Sequence, residues 1–127
     1  MTVDQTRLAV DFSAAAIVVS NHVLRVLDHA PGAAEVLPEI AAAVRGQIGI
    51  LADGGIRSGG DVLKMIALGA DAVLIGRPFS VATVGGGLEG VTAYIDQIKN
   101  EFVSAMVLTG CRDIGSIDRD ILRPTAG

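Results

Sequence analysis

Twice in succession this chain ends a short apolar run in a glycine-bearing turn closed by arginine. Ile48 to Ala52 leads into Asp53-Gly54-Gly55-Ile56-Arg57, and Ala72 to Ile75 leads into Gly76-Arg77. Apolar runs of this length between turn signals read as buried parallel strands. Each turn is followed by a stretch that can open a helix. Strand, turn, helix and strand in that order make a βαβ unit, which closes onto a parallel sheet by a right-handed crossover. The turns also restrict the chemistry. Glycine lets backbone N–H groups approach an anion, a helix N-terminus adds partial positive charge, and arginine adds a fork of donors. Two such turns on consecutive strands suit a phosphate monoester. In a TIM barrel that site is commonly built from the loops after strands seven and eight, and the pair here is read as those loops.

The rest of the chain continues the alternation. Thr2-Val3-Asp4-Gln5 reads as the cap and first turn of a helix that Leu8, Ala9 and Val10 carry to about Phe12. Ala14 to Ser20 reads as a parallel strand covered on both faces. Asn21 to Gly32 has no clean period and contains Pro31-Gly32, so a loop is expected. Ala33 to Arg45 spaces Val36, Leu37, Ile40 and Val44 at helical intervals, with Gly46 as C-cap. Ser58 to Leu68 is a second helix with Val62, Leu63, Met65, Ile66 and Ala67 inward, ended by Gly69. From Ile75 a loop is expected to Gly90, most flexible at Gly85-Gly86-Gly87. A long amphipathic helix from Val91 to Leu108 and a short one from Ile114 to Leu122 follow. Only three strands are evident, whereas a closed barrel needs eight and about 250 residues. The expected fold class is therefore α/β, a partial TIM (β/α)8 barrel, with residues 1–127 as a single fragment of it.

Composition excludes several functions. Of the 127 residues half are apolar and only 3% aromatic, so the core is aliphatic and no stacking platform for nucleobases is available. A formal charge of −4 gives no basic footprint for nucleic acid or an anionic membrane. The apolar runs fall short of the ~20 residues of a membrane span, and Thr2 to Arg7 is polar where a secretion signal would be apolar. Cys111 is the only cysteine, which rules out an intrachain disulfide and fits a reducing, cytoplasmic setting. It reads as structural rather than nucleophilic. No metal site is assigned, and His29 reads as a surface residue.

Four segments together point to a family. Ile17-Val18-Val19-Ser20-Asn21-His22, with Arg25 three residues on, is similar to the Ser-Asn-His-x-x-Arg segment of FMN-dependent α-hydroxy acid oxidases and dehydrogenases. Leu51 to Arg57, Ala67 to Pro78 and the tail Leu108-Thr109-Gly110-Cys111-Arg112 resemble the same group, which includes glycolate oxidase, lactate oxidase and mandelate dehydrogenase. The resemblance covers nearly the whole chain in order and spacing. The phosphate turns alone are less specific, since inosine monophosphate dehydrogenases and glutamate synthases carry related ones. The Ser-Asn-His-x-x-Arg segment selects the hydroxy acid group.

The resemblance implies roughly strands six to eight of the barrel with their helices. It implies FMN as cofactor and oxidation of a small 2-hydroxy acid to a 2-oxo acid. His22 would be the general base and Arg25 the partner of the substrate carboxylate. Asp53, Gly55 and Arg57 would serve the FMN ribityl chain and phosphate, and Gly76 and Arg77 would complete the phosphate cradle. The family's lysine near flavin N1 would precede Met1, as would its early tyrosines and the carboxylate that orients the histidine; Lys64 and Lys99 fall in helices. Val23 and Leu24 stand where the family carries small residues, usually glycines, and neither adopts positive φ cheaply. Two other readings stay open. One is a non-catalytic half-barrel that self-associates, because an opened barrel leaves two unpaired strand edges and a homo-oligomer would cover them. The other is the phosphate-binding remnant of a different nucleotide or flavin barrel.

Overall fold

In a computed structural model, residues 2–22 and 28–123 are described. The order is α1 (Val3–Asp11), β1 (Ala16–Val19), α2 (Ala33–Val44), β2 (Gly49–Ala52), α3 (Gly59–Ala67), β3 (Ala72–Val73) and α4 (Arg77–Thr109). Two 3-10 turns, Ile114–Ser116 and Arg119–Ile121, follow in place of the single short helix expected there. The three strands form one parallel sheet in the order β1-β2-β3. Val19 pairs with Ala52, and Ala52 with Val73. The fold is thus α/β with βαβ crossovers, as the alternation requires.

Local chemistry explains the helix starts. Thr2 Oγ1 accepts from the Gln5 N–H and the Gln5 side chain accepts from the Thr2 N–H, a capping box that satisfies two donors at once. Ser58 and Asp61 do the same for α3. The apolar stripe of α2, with Leu37, Ile40, Ala41 and Val44 buried, packs on Val19, Ile50 and Ala52 of the sheet. A second cluster joins Leu63 and Ala67 of α3 to Phe102 and Met106 of α4 and to Ile117.

Two expectations are corrected. First, β1 is covered on one face only. Val19 is 2% exposed but Val18 is 49% exposed, because every helix packed on the sheet takes the Val19 side. Second, the expected loop from Ile75 to Gly90 is largely helix. α4 begins at Arg77, with Pro78 in its first turn, where the ring's fixed φ favours a helix start. The segment Phe79 to Val84 then continues it. Glycines 85 to 87 weaken a helix by about 1 kcal/mol each without forbidding it. Only Gly87 leaves helical geometry, at φ 54° and ψ −135°, so α4 is two helical segments meeting at a kink. Beyond the kink Gly90 lies against the Ala82 carbonyl, where a Cβ would not fit. Among the described residues no helix is long and apolar enough to cross a membrane.

Candidate functional site

A cavity of about 540 Å³ opens at the C-terminal ends of the strands. In parallel α/β sheets this is the edge where ligands bind, because the strand-to-helix turns converge there. His22 comes from beyond β1, Asp53 to Arg57 from beyond β2, and Leu74 to Pro78 with Val81 from beyond β3. Five of the residues expected for cofactor binding, Asp53, Gly55, Arg57, Gly76 and Arg77, therefore line one cavity together with the expected base, His22.

The β2–α3 turn bends sharply because Gly54 and Gly55 take φ of 95° and 77°, a region that costs a side chain roughly 1–2 kcal/mol. A Cβ on Gly55 or Gly76 would meet nothing within 4 Å, so both backbones border open space on the cavity. Asp53 Oδ1 is buried and has no hydrogen-bond partner among the described residues. Such an oxygen needs a donor, and a hydroxyl in the cavity would supply one. Arg57 and Arg77 are exposed, and neither forms an ion pair among the described residues. Two free guanidinium groups, two bare glycine backbones and one acceptor in need of a donor fit a phosphorylated polyol.

The two helix N-termini at this cavity are unequal. At α3 the donors are already taken. The Arg57 and Ser58 N–H groups both donate to Asp61 Oδ2 at 3.1 Å, and the Gly59 N–H donates to Glu101 Oε2 at 2.8 Å. Gln97 donates to the other Glu101 oxygen at 2.8 Å. Burial alone would raise the Asp61 carboxyl, but hydrogen bonds from Ser58 and the Arg57 amide and the nearby Lys64 charge hold it below its ordinary value. Glu101 is likewise held low, chiefly by Gln97 and then by the Gly59 amide. At α4, by contrast, Gly76 brings no side-chain cap and Pro78 has no N–H. Phe79 and Ser80 donate back to the Gly76 carbonyl, which leaves the Arg77 N–H as the orphan donor of the first turn among the described residues. The expectation that both helix ends serve an anion is therefore corrected: α3 is neutralised by its own carboxylates and α4 is open.

His22 stands at the cavity's edge in the left-handed region, φ 50°, with its N–H donating to Ser20 Oγ at 3.0 Å. Such a conformation is uncommon for a non-glycine residue, and histidine is among the types that tolerate it best. Arg25, Val23 and Leu24 lie outside the described residues, so the expected carboxylate partner is not placed.

Three residues that hold the turns behind the cavity carry no signal of that role in the sequence taken segment by segment: Tyr94, Glu101 and Asp61. The Tyr94 hydroxyl donates to the Arg57 carbonyl at 3.0 Å, and its ring meets Phe79 edge-on with centroids 5.0 Å apart. Burial, then the Glu101 and Asp61 charges, push its hydroxyl above the ordinary 10.0. Periodicity gives only a shared face. Tyr94, the only tyrosine, and Glu101 are seven residues apart on one face of a helix.

The sequence profile of the FMN-dependent dehydrogenase family matches residues 1–124. The chain is 43% identical over 123 residues to 2-hydroxyacid oxidase 2 of Bos taurus, covering 97% of this chain and 35% of that protein. It is 51% identical over 119 residues to an L-lactate dehydrogenase of Pseudomonas aeruginosa, covering 94% and 31%. A solved structure of mandelate oxidase with benzoyl-formic acid superposes with a TM-score of 0.91 at 50% identity, covering 94% of this chain and 36% of that one. The chain spans about a third of the length of the relatives it matches. With the profile spanning nearly every residue and half the positions shared with several relatives, this chain belongs to the FMN-dependent dehydrogenase family.

Proposed function

We propose that the chain supplies strands six to eight of a (β/α)8 barrel and, there, holds the phosphate and ribityl chain of FMN for oxidation of a small 2-hydroxy acid to its 2-oxo acid. The observation that carries this reading is the convergence of three strand ends on one cavity with matched, unsatisfied groups. Arg57 and Arg77 hold the phosphate with the Arg77 N–H at the open end of α4, while Gly55 and Gly76 let the backbone approach it. Asp53 accepts a ribityl hydroxyl on its orphaned Oδ1. FMN, when bound, supplies the hydride acceptor. His22 takes the substrate hydroxyl proton on its imidazole, and Arg25 pairs with the substrate carboxylate. The names of the relatives support the substrate class.

The test is titration of inorganic phosphate and FMN into the 127-residue chain, its Arg77→Ala variant and its His22→Ala variant. Arg77→Ala loses most of the affinity and His22→Ala keeps it, because arginine touches the anion and histidine only the reacting end. Equal losses in the two variants would refute the assignment.

A second reading has its own observation. Val18 and Leu74 leave apolar surface bare beside β1 and β3, each of which has one side without a strand neighbour among the described residues. Apart from a full barrel, the chain covers that surface with a second copy of itself. Sedimentation at micromolar concentration separates the cases: a clean monomer would contradict self-association.

A further inference from the structure

We infer that Tyr94 is a positioning residue that sets the span of the phosphate cradle by tying its two turns together; the inference rests on the phosphate reading above. Arg57 closes the β2–α3 turn, and Phe79 sits two residues beyond Arg77 in the first turn of α4. One side chain touches both. The Tyr94 hydroxyl donates to the Arg57 carbonyl at 3.0 Å, and the Tyr94 ring stacks edge-on against Phe79 at an interplanar angle of 77°.

Each contact fixes something otherwise loose. The Arg57 N–H is already held by Asp61 at 3.1 Å, so the Tyr94 bond immobilises the other side of the same residue and fixes where its guanidinium starts from. On the α4 side, Gly87 interrupts the helix between Arg77 and Tyr94. Glycine restrains the backbone least there, and the Tyr94–Phe79 contact bridges that joint from one segment to the other. A tyrosine suits such a strut, because it offers a large rigid face and a polar tip with only two torsions to immobilise. Neither contact involves the cavity itself, since Tyr94 is not among its lining residues. The residue therefore acts on the ligand only through Arg57 and the first turn of α4.

The test is Tyr94→Phe, which keeps the ring and removes the donor. Calorimetric titration of inorganic phosphate and of FMN into the 127-residue chain reads both affinities. Each weakens about three- to ten-fold, the scale of one lost hydrogen bond. The decisive readout is coupling. In an Arg57→Ala background the same substitution costs clearly less than it does alone, because the guanidinium it positions is gone. Overturning results are wild-type affinity in Tyr94→Phe while Arg77→Ala still loses binding, or losses that simply add with Arg57→Ala. The first leaves the phosphate reading intact and removes the strut. A wild-type chain that binds neither ligand removes the phosphate reading and the strut with it.

Discussion

Two adjacent glycines should respond to alanine with opposite signs. Gly59 is buried at the first position of α3, and a Cβ there would run into the Phe102 amide nitrogen, the Ile98 carbonyl oxygen and the Glu101 carbonyl carbon of α4. All three are backbone atoms of a helix, so they cannot rotate aside as a side chain would. Overpacking costs about 1–3 kcal/mol. The shift also breaks the Gly59 N–H bond to the Glu101 carboxylate. That overpacking cost is already a sizeable part of the ~5–15 kcal/mol that holds a domain together. Gly60 differs, since its Cβ would meet only Ser58 Oγ at 3.7 Å, ordinary contact, and its φ is not positive. Alanine there gains about 0.4–1 kcal/mol by restricting the unfolded chain. Thermal unfolding followed by circular dichroism should place Gly59→Ala roughly 4–15 °C below the parent and Gly60→Ala a few degrees above it. A Gly59→Ala variant that melts with the parent, or two variants that move together, would refute the close packing of α3 on α4.

Further outcomes follow from the same contacts. Phosphate affinity should fall as salt rises, because it rests on exposed arginines, and a salt-independent affinity would argue against them. Asp61 and Glu101 titrate below their ordinary 3.8 and 4.5, so the stability they give is full above those values and lost as pH falls through the lower folded ones. The urea midpoint should therefore drop as pH falls below the ordinary carboxylate values of 4.5 and 3.8, and less steeply in Asp61→Asn; an unchanged slope would contradict the capping role. The 127-residue chain alone should not turn over lactate or glycolate, because no lysine lines the cavity among the described residues and groups of one catalytic unit fail together. Anaerobic flavin bleaching above the rate of free FMN would overturn that.

Much of the fold was legible because its signals are local. Thr2 and Ser58 announce helix starts by capping chemistry, and the Leu37, Ile40 and Val44 spacing announces a buried face. Asp53 to Arg57 and Gly76 to Arg77 declare their turns through glycine. Coverage of β1 is not legible, because a run such as Ile17-Val18-Val19 has no alternation to say which side is bare. The α4 start is hidden because glycines 85 to 87 look like a loop, while a single non-helical residue, Gly87, suffices to make the bend. What the sequence hid at the site was tertiary. Nothing within α4 reveals that Glu101 reaches the Gly59 amide 42 residues away, or that this closes the α3 terminus to an anion.

The central claim is that the anion sits at the open end of α4 and not at the carboxylate-capped end of α3. Amide chemical shifts measured during a titration with inorganic phosphate test it most directly. The Gly55, Gly76 and Arg77 amides should move together along one saturable isotherm, while those of Ser58 and Gly59, already held by Asp61 and Glu101, should stay near their starting positions. Largest shifts at Ser58 and Gly59, or none at Gly76 and Arg77, would contradict the account.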